Sequence, residues 1–168
     1  MLKFAVPIFV FLSFTAAWGD EKKPDAANDR VEKLFRSMRD GSYRQDQADW
    51  QFPVLRWEDI PALLKLGGSK EKLKRFPINP LSSQAEQVAP REGVVALWCI
   101  DGIRKGGKFP SLNALLEKEG KIDRSEDAQM RAYEAYQRWW KKVEKMPVED
   151  ARKVEPLVGT GLHWYGEG

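Results

Sequence analysis

Cysteine and histidine are almost absent from this sequence of 168 residues, which contains one of each. The single cysteine, Cys99, excludes an intramolecular disulfide, so the stability of the fold must come from its core. Cys99 lies in the apolar run from Val94 to Ile100, where a buried and inert thiol is expected. The only histidine, His163, has no partner at a ligand spacing and is expected on the surface or packed within the C-terminal tail. The sequence therefore predicts no metal site and no cofactor.

The sequence also lacks a strong net charge, because its 28 basic residues are nearly balanced by 25 acidic ones. A nucleic-acid partner requires a concentrated basic surface, and this balance argues against one. The cluster of Lys70, Lys72, Lys74 and Arg75 is interrupted by Glu71 and is better explained as a solvated helix face.

Long apolar runs are missing except at the N-terminus, where Lys3 precedes a run from Phe4 to Phe14. The run is shorter than the roughly 20 residues that span a bilayer. Ala17 and Gly19 form an A-x-G cleavage site, so residues 1–19 are predicted to be a signal peptide, with an uncleaved anchor as the alternative. Cleavage would leave no stable membrane anchor, since Cys99 is too far away for lipid attachment. The protein is expected in the periplasm or outside the cell.

The remaining chain is predicted to consist of a flexible tail at 20–28 and a single domain at 29–168. Apolar residues recur at helical spacing, and proline and glycine mark the ends of the segments. The fold class is therefore predicted to be all-α, with about six or seven helices. They are expected at 29–39, 58–66, after Ser69, 93–104, between Phe109 and Gly120, 125–146 and 148–154.

Two details of this helical prediction stay open. Phe-Pro-x-Leu occurs at 52–55 and again at 109–112, each time before Ala-Leu-Leu. The echo fits stacked helical pairs of the HEAT kind, or it arises by chance. An aromatic stripe of Tyr133, Tyr136, Trp139 and Trp140 fits a core face better than a stacking platform for sugars. Asp123 and Glu126 have the spacing of a capping box for the longest helix.

Several strings together resemble an uncharacterised family of exported bacterial proteins, a domain of unknown function, over about residues 50–165. The strings are WEDIPALL at 57–64, FPINPLSS at 76–83, EGVVALW at 92–98, DGIR at 101–104, FPSLN at 109–113 and YQRWW at 136–140. The resemblance implies a bacterial envelope or secreted setting. It implies no activity, cofactor or catalytic residue.

The missing catalytic motifs favour a non-enzymatic module that binds an envelope or extracellular protein. Asp101 and Arg104 close an otherwise apolar helix, so a charged network there is the first candidate binding site. The loop at 77–83 and the aromatic tail complete the candidate set, with binding residues Asn79, Ser82, Trp164 and Tyr165.

The alternative function is a carboxylate-dependent hydrolase acting on envelope polysaccharide. Such an enzyme needs only two carboxylates at a suitable separation. Its candidates are Glu58, Asp59, Glu92 and Asp101, although Glu58 and Asp59 also suit the first turn of a helix. Whether the protein is an enzyme therefore stays open in the sequence.

Overall fold

The computed structural model describes residues 26–44, 52–79, 81 and 89–167. Three predictions fall wholly or partly outside these residues: the signal peptide at 1–19, most of the tail at 20–28, and the binding residue Ser82. Where the tail and the structure overlap, the chain is already helical from Ala26. The helix start predicted at Asp29 is therefore three residues too late.

Helix α1 (Ala26–Asp40) follows the predicted apolar stripe, and Val31, Phe35 and Met38 are its buried residues. The helix ends at Gly41, whose φ of +86° lies in the left-handed region that favours glycine. The predicted helix over 29–39 and its stop at Gly41 are confirmed.

Helices α2 (Ile60–Leu66) and α3 (Glu92–Arg104) confirm two further predictions, with a 3-10 turn, Trp57–Asp59, leading into α2. Every residue of α3 except Val94 is buried, which explains why its sequence shows no polar face. It packs against α2 and α4 as the central helix of the domain. In the part of the chain that the structure describes, no helix is both long and apolar enough to cross a membrane.

Close packing at the start of α3 depends on Gly93. A Cβ atom at this position would lie 2.4 Å from the carbonyl oxygen of Gly67 and 2.8 Å from that of Ser69. The same two carbonyl oxygens accept hydrogen bonds from Nε2 of Gln129, at 3.2 and 2.8 Å. The absence of a side chain at Gly93 therefore lets the backbone of α3 approach that of residues 67–69 and leaves room for the Gln129 amide.

Helix α4 (Glu126–Val143) is the longest and is capped by Ser125, whose Oγ accepts a hydrogen bond from the Ala128 N–H at 3.0 Å. Asp123 instead accepts from the backbone N–H of Ser125 at 2.9 Å. The predicted capping box of Asp123 and Glu126 is therefore wrong, although the helix starts where it was expected.

The aromatic stripe of α4 is a core face. Tyr136 and Trp139 are buried, and the half-buried Tyr133 and Trp140 pack against the same core. Trp57 contacts both tryptophans, with ring centroids 5.9 Å from Trp139 and 5.8 Å from Trp140. Rings engaged with one another in this way do not form an open platform for sugars.

The all-α prediction is wrong, because the chain also forms a small antiparallel sheet. Strands β1 (Leu116–Lys118), β2 (Lys121–Ile122) and β3 (Leu162–Trp164) lie in the order β2-β1-β3. Glu119 and Gly120 both have positive φ, 52° and 74°, and they form the turn between β1 and β2. Gly120 therefore marks a hairpin and not the end of a helix. The fold is a mixed α/β one with five α-helices in the described residues.

The two Phe-Pro echoes have different structures, so the HEAT-like arrangement is wrong as well. The first echo precedes the 3-10 turn and α2, whereas the second runs through bends at residues 111–114 into β1. The short helix predicted after Ser69 is also absent, because Lys72 forms an antiparallel bridge with Arg91. Helix α5 (Val148–Ala151) is shorter than the predicted 148–154.

The core is centred on Trp98, which is fully buried. Its indole N–H donates to Ser111 Oγ at 2.7 Å, and its ring contacts Phe52 and Phe109 at centroid distances of 5.8 and 5.7 Å. Cys99 is also fully buried, as predicted, and burial raises the pKa of its thiol. The reactive thiolate form is therefore disfavoured.

Candidate functional site

Three of the six predicted binding residues come together at the carboxyl end of α3. Asp101 and Arg104 occupy its last turn and are 1% and 5% exposed. Trp164 lies on β3 and is 1% exposed. Asp101 and Trp164 line the same cavity, of about 300 Å³, between α3, α4 and the C-terminal segment.

Arg104 organises the charges beside this cavity. Its Nε donates to Asp101 Oδ1 at 2.7 Å, and its Nη1 donates to Glu155 Oε1 at 2.8 Å and to the carbonyl oxygen of Arg152 at 3.1 Å. The Nζ of Lys105 lies 3.6 Å from Asp101 Oδ2, so the two residues form an ion pair at i, i+4 of the helix. Charged groups that are buried this deeply are stable only when they are paired in this way.

Two polar atoms of the network have no hydrogen-bond partner in the described residues. They are Oδ2 of Asp101 and Nη2 of Arg104. Burial raises the pKa of Asp101, and this effect outweighs the opposing attraction of Arg104 and Lys105. Native proteins leave few buried polar atoms unsatisfied, and such atoms often mark a place where water or a ligand binds.

The aromatic side of the cavity is held by Tyr136 and Trp164. The indole N–H of Trp164 donates to the Tyr136 hydroxyl at 3.0 Å. Burial raises the pKa of Tyr136 well above its usual value, so the hydroxyl stays protonated and keeps a proton to donate. The hydrogen bond fixes the tail on α4, as docking of the terminus requires.

The other predicted binding residues lie elsewhere. Asn79 donates from Nδ2 to the carbonyl oxygen of Ser111 at 3.0 Å and accepts at Oδ1 from the N–H of Leu81, also at 3.0 Å. It therefore fixes its own loop against the segment before β1, and it does not line the cavity. Tyr165 is half-buried, and its backbone N–H donates to the Leu115 carbonyl oxygen at 2.9 Å.

Each carboxylate proposed for hydrolysis lies in an ion pair. Asp59 is fully buried and accepts from Arg30 at 2.7 to 3.1 Å and from the Arg56 N–H at 2.8 Å. Glu58 lies 3.8 Å from Arg30 and 3.7 Å from Arg56. Glu92 is paired with Arg39, and Asp101 with Arg104. These carboxylates therefore stabilise the fold through arginine partners.

The side chains that commonly bind metal ions are not clustered in the described residues. Within residues 26–44, 52–79, 81 and 89–167, no cluster of three or more His, Cys, Asp or Glu side chains could hold a metal ion. His163 is half-exposed, and its Nε2 lies 3.4 Å from Oε1 of Glu117, its partner across strands β1 and β3.

Comparison with known protein families identifies one that matches most of the chain. A domain of unknown function, DUF4943, matches residues 25–165. The chain belongs to the DUF4943 family. This confirms the expectation of a domain of unknown function and extends it from residue 50 back to the start of α1. No curated protein and no solved structure matches the chain.

Sequence reasoning missed several cavity residues of the DUF4943 domain. Glu155 and Glu167 reach the cavity from the segments after α5 and after β3, and Val158 lies at its mouth with 79% of its surface exposed. No local pattern marks these residues, because only the fold of the C-terminal segment brings them beside α3.

A second cleft of about 230 Å³ was also missed. Its apolar floor includes Val94 and Leu116, and Lys72, Arg91 and Arg124 contribute positive charge to its lining. Lys72 belongs to the basic cluster that the sequence assigned to a solvated helix face. The cluster is on the surface, but the segment that carries it is extended and borders this cleft.

Proposed function

We propose that this DUF4943 domain is a non-enzymatic binding module of the bacterial envelope and that its partner enters the cavity at the carboxyl end of α3. The observation that supports the site most directly is the cavity lined by Asp101, whose buried Oδ2 accepts no hydrogen bond. A ligand that donates to this atom would satisfy it.

The walls of the cavity suit recognition. A preformed ligand site combines an apolar surface with a few polar groups that orient the ligand. Here Leu157, Val158 and Leu162 supply the apolar surface, and Asp101 and Tyr136 supply polar groups. The hydrogen bond between Trp164 and Tyr136 holds one wall in place before any partner arrives.

The hydrolase alternative has less support. Glycoside hydrolysis requires an acid and a base or nucleophile that face a shared substrate. Asp59 and Glu92 are instead engaged by Arg30 and Arg39. Only Asp101, among the four candidates, lines the cavity described above.

The cavity is tested by blocking its mouth. Val158→Lys places a long charged side chain at the entrance, and Val54→Lys makes the same change at a second exposed valine, 77% exposed, outside the cavity. Purified protein immobilised on resin would be used to capture a partner from envelope extract. We expect Val158→Lys to lower the captured amount at least tenfold and Val54→Lys to leave it unchanged. Equal capture by both variants would contradict this site.

The envelope location is tested separately. Bacterial expression of the full chain, followed by mass spectrometry of the exported protein, should find an N-terminus at Asp20. Replacement of Ala17 and Gly19 by a bulky residue should retain the precursor. Full-length protein in the cytoplasm, starting at Met1, would contradict export.

A further inference from the structure

Carboxylates dominate the charged groups that line the cavity at the end of α3. Asp101, Glu155 and Glu167 line it together with His163, whose Nε2 lies 3.4 Å from Glu117, and no described lysine or arginine does. The two cations of the network, Arg104 and Lys105, contact these carboxylates without lining the cavity. A bound molecule therefore meets carboxylates and not their counter-ions.

The carboxylate oxygens of the cavity differ in whether they already accept a hydrogen bond from the protein. Oδ1 of Asp101 and Oε1 of Glu155 accept from Arg104, and Oε1 of Glu167 accepts from Lys105. Among the described residues, Oδ2 of Asp101 accepts no hydrogen bond, because the ammonium of Lys105, its ion-pair partner at 3.6 Å, is beyond hydrogen-bond distance. The deepest carboxylate of the cavity thus keeps one oxygen for a donor.

The geometry points to an organic cation as the occupant: an alkylammonium or alkylguanidinium group that donates to Asp101 Oδ2. This inference rests on the proposed binding function and names its ligand chemistry. A charged donor to a carboxylate makes a stronger hydrogen bond than a neutral one, and a cation also gains from Glu155 and Glu167. The alkyl chain would lie along Leu157 and Val158.

The aromatic wall favours the same chemistry. The rings of Tyr136 and Trp164 lie 6.5 Å apart, and both residues line the cavity. Aromatic rings attract ammonium and guanidinium groups through their negative faces. An anion would instead be placed beside three carboxylates, and a neutral donor would make the hydrogen bond without the attraction between opposite charges.

The probes are four molecules of similar length: n-butylammonium, n-butylguanidinium, n-butanol and butyrate. Binding is followed by calorimetry and by the indole N–H signal of Trp164 in NMR spectra of the purified protein, assigned with Trp164→Phe. We expect both cations to bind and to shift this signal, and the alcohol and the carboxylate to bind at least tenfold more weakly. An arginine side chain is then presented in acetyl-Gly-Arg-Gly-amide, which separates a peptide source from a free amine.

Two variants at the mouth distinguish charge from steric blockage. Val158→Lys should weaken binding of the cations about tenfold, whereas Val158→Asp should leave it equal or strengthen it. Blockage of the entrance would weaken binding in both. Val54→Lys and Val54→Asp carry the same charge changes on an exposed valine outside the cavity and should have no effect.

Asp101→Asn tests the proposed acceptor. The amide oxygen can still accept from Arg104 Nε, while the negative charge is lost. We expect cation binding to weaken tenfold or more. If this variant folds poorly, the Val158 pair decides the question.

The possible outcomes separate this inference from the function that it deepens. Equal binding of butanol and the cations, or no shift of the Trp164 signal at 10 mM of either cation, overturns the cation assignment. Water alone then satisfies Asp101. If Val158→Lys still abolishes partner capture in that case, the binding function stands with a different ligand chemistry. If capture is unaffected as well, both fail.

Discussion

Replacement of Gly93 by alanine is the sharpest test of the packing that holds α3. The added Cβ would lie 2.4 Å from the Gly67 carbonyl oxygen, 2.8 Å from that of Ser69 and 2.3 Å from Nε2 of Gln129. Two of these atoms belong to backbone, so no side-chain rotation can relieve the overlap. The helix must move away from α2, and the hydrogen bonds of Gln129 to both carbonyls must stretch.

The magnitude follows from two opposing effects. Alanine within a helix is favoured over glycine by about 1 kcal/mol. Overpacking of a rigid site costs about 1–3 kcal/mol, and occasionally more. Because two of the three closest contacts of a Cβ at Gly93 are with backbone, we expect a cost near the upper end of this range and a net fall in the free energy of unfolding of about 2 kcal/mol. For a domain of this size the melting temperature should fall by roughly 4–8 °C.

The assay is urea unfolding followed by circular dichroism, and Gly102→Ala provides a matched control. The three atoms nearest to a Cβ at Gly102 all belong to the ring of Phe52, and the closest is Cζ at 2.3 Å. Replacing that ring by the smaller side chain of leucine, in Gly102→Ala/Phe52→Leu, should recover part of the stability that Gly102→Ala loses. The corresponding Gly93→Ala/Gln129→Ala should recover none. Wild-type stability of Gly93→Ala would refute the reasoning.

Three further predictions concern charged and capping residues. Asp101→Asn should become more stable relative to wild type as the pH rises from about 3.5 to 7. The pKa of Asp101 is raised above 3.8 in the folded protein, so ionisation of the wild-type carboxyl opposes folding. A difference in unfolding free energy between the two proteins that stayed constant in urea titrations over this pH range would contradict the prediction. Asp59→Ala should cost about 3 kcal/mol, since it leaves Arg30 without its bidentate partner, and Arg30→Ala/Asp59→Ala should cost less than the two single changes added together. Ser125→Ala should cost about 1 kcal/mol by removing the cap of α4, while Ser125→Asp should retain it; equal thermal stability of the alanine variant and wild type would count against this cap.

The helices could be predicted because their signals are local. Val31, Phe35 and Met38 recur at helical spacing, and Gly41 follows them directly. For α3 the length of the apolar run was enough, since a buried strand is rarely so long. The spacing of apolar residues and the length of an apolar run therefore predict these helices without knowledge of the tertiary fold.

The sheet could not be predicted by the same means. β1 and β3 have three residues each, too few to show an alternating pattern. Leu116 pairs with Trp164, which lies far along the sequence. Gly120 gave the right position for a chain reversal but not its kind, because positive φ serves both a helix end and a hairpin turn.

The sequence predicted only some of the residues of the candidate site. Asp101 and Arg104 were noticed because charges are rare in a buried helix, and their pairing is confirmed. Glu155 and Glu167 carry no comparable signal, because acidic residues near a C-terminus are ordinary surface residues. Asn79 was named in the same candidate set, but its amide donates to the Ser111 carbonyl oxygen and it does not line the cavity with Asp101.

The pairing of β3 with β1 has a consequence for the order in which the protein can fold. Leu116 and Tyr136 gain their partner, Trp164, only when the last part of the domain has been delivered. A chain that leaves the ribosome from its N-terminus must keep these apolar surfaces uncovered until then. The core around β1 and α4 is therefore completed only when the whole domain is available.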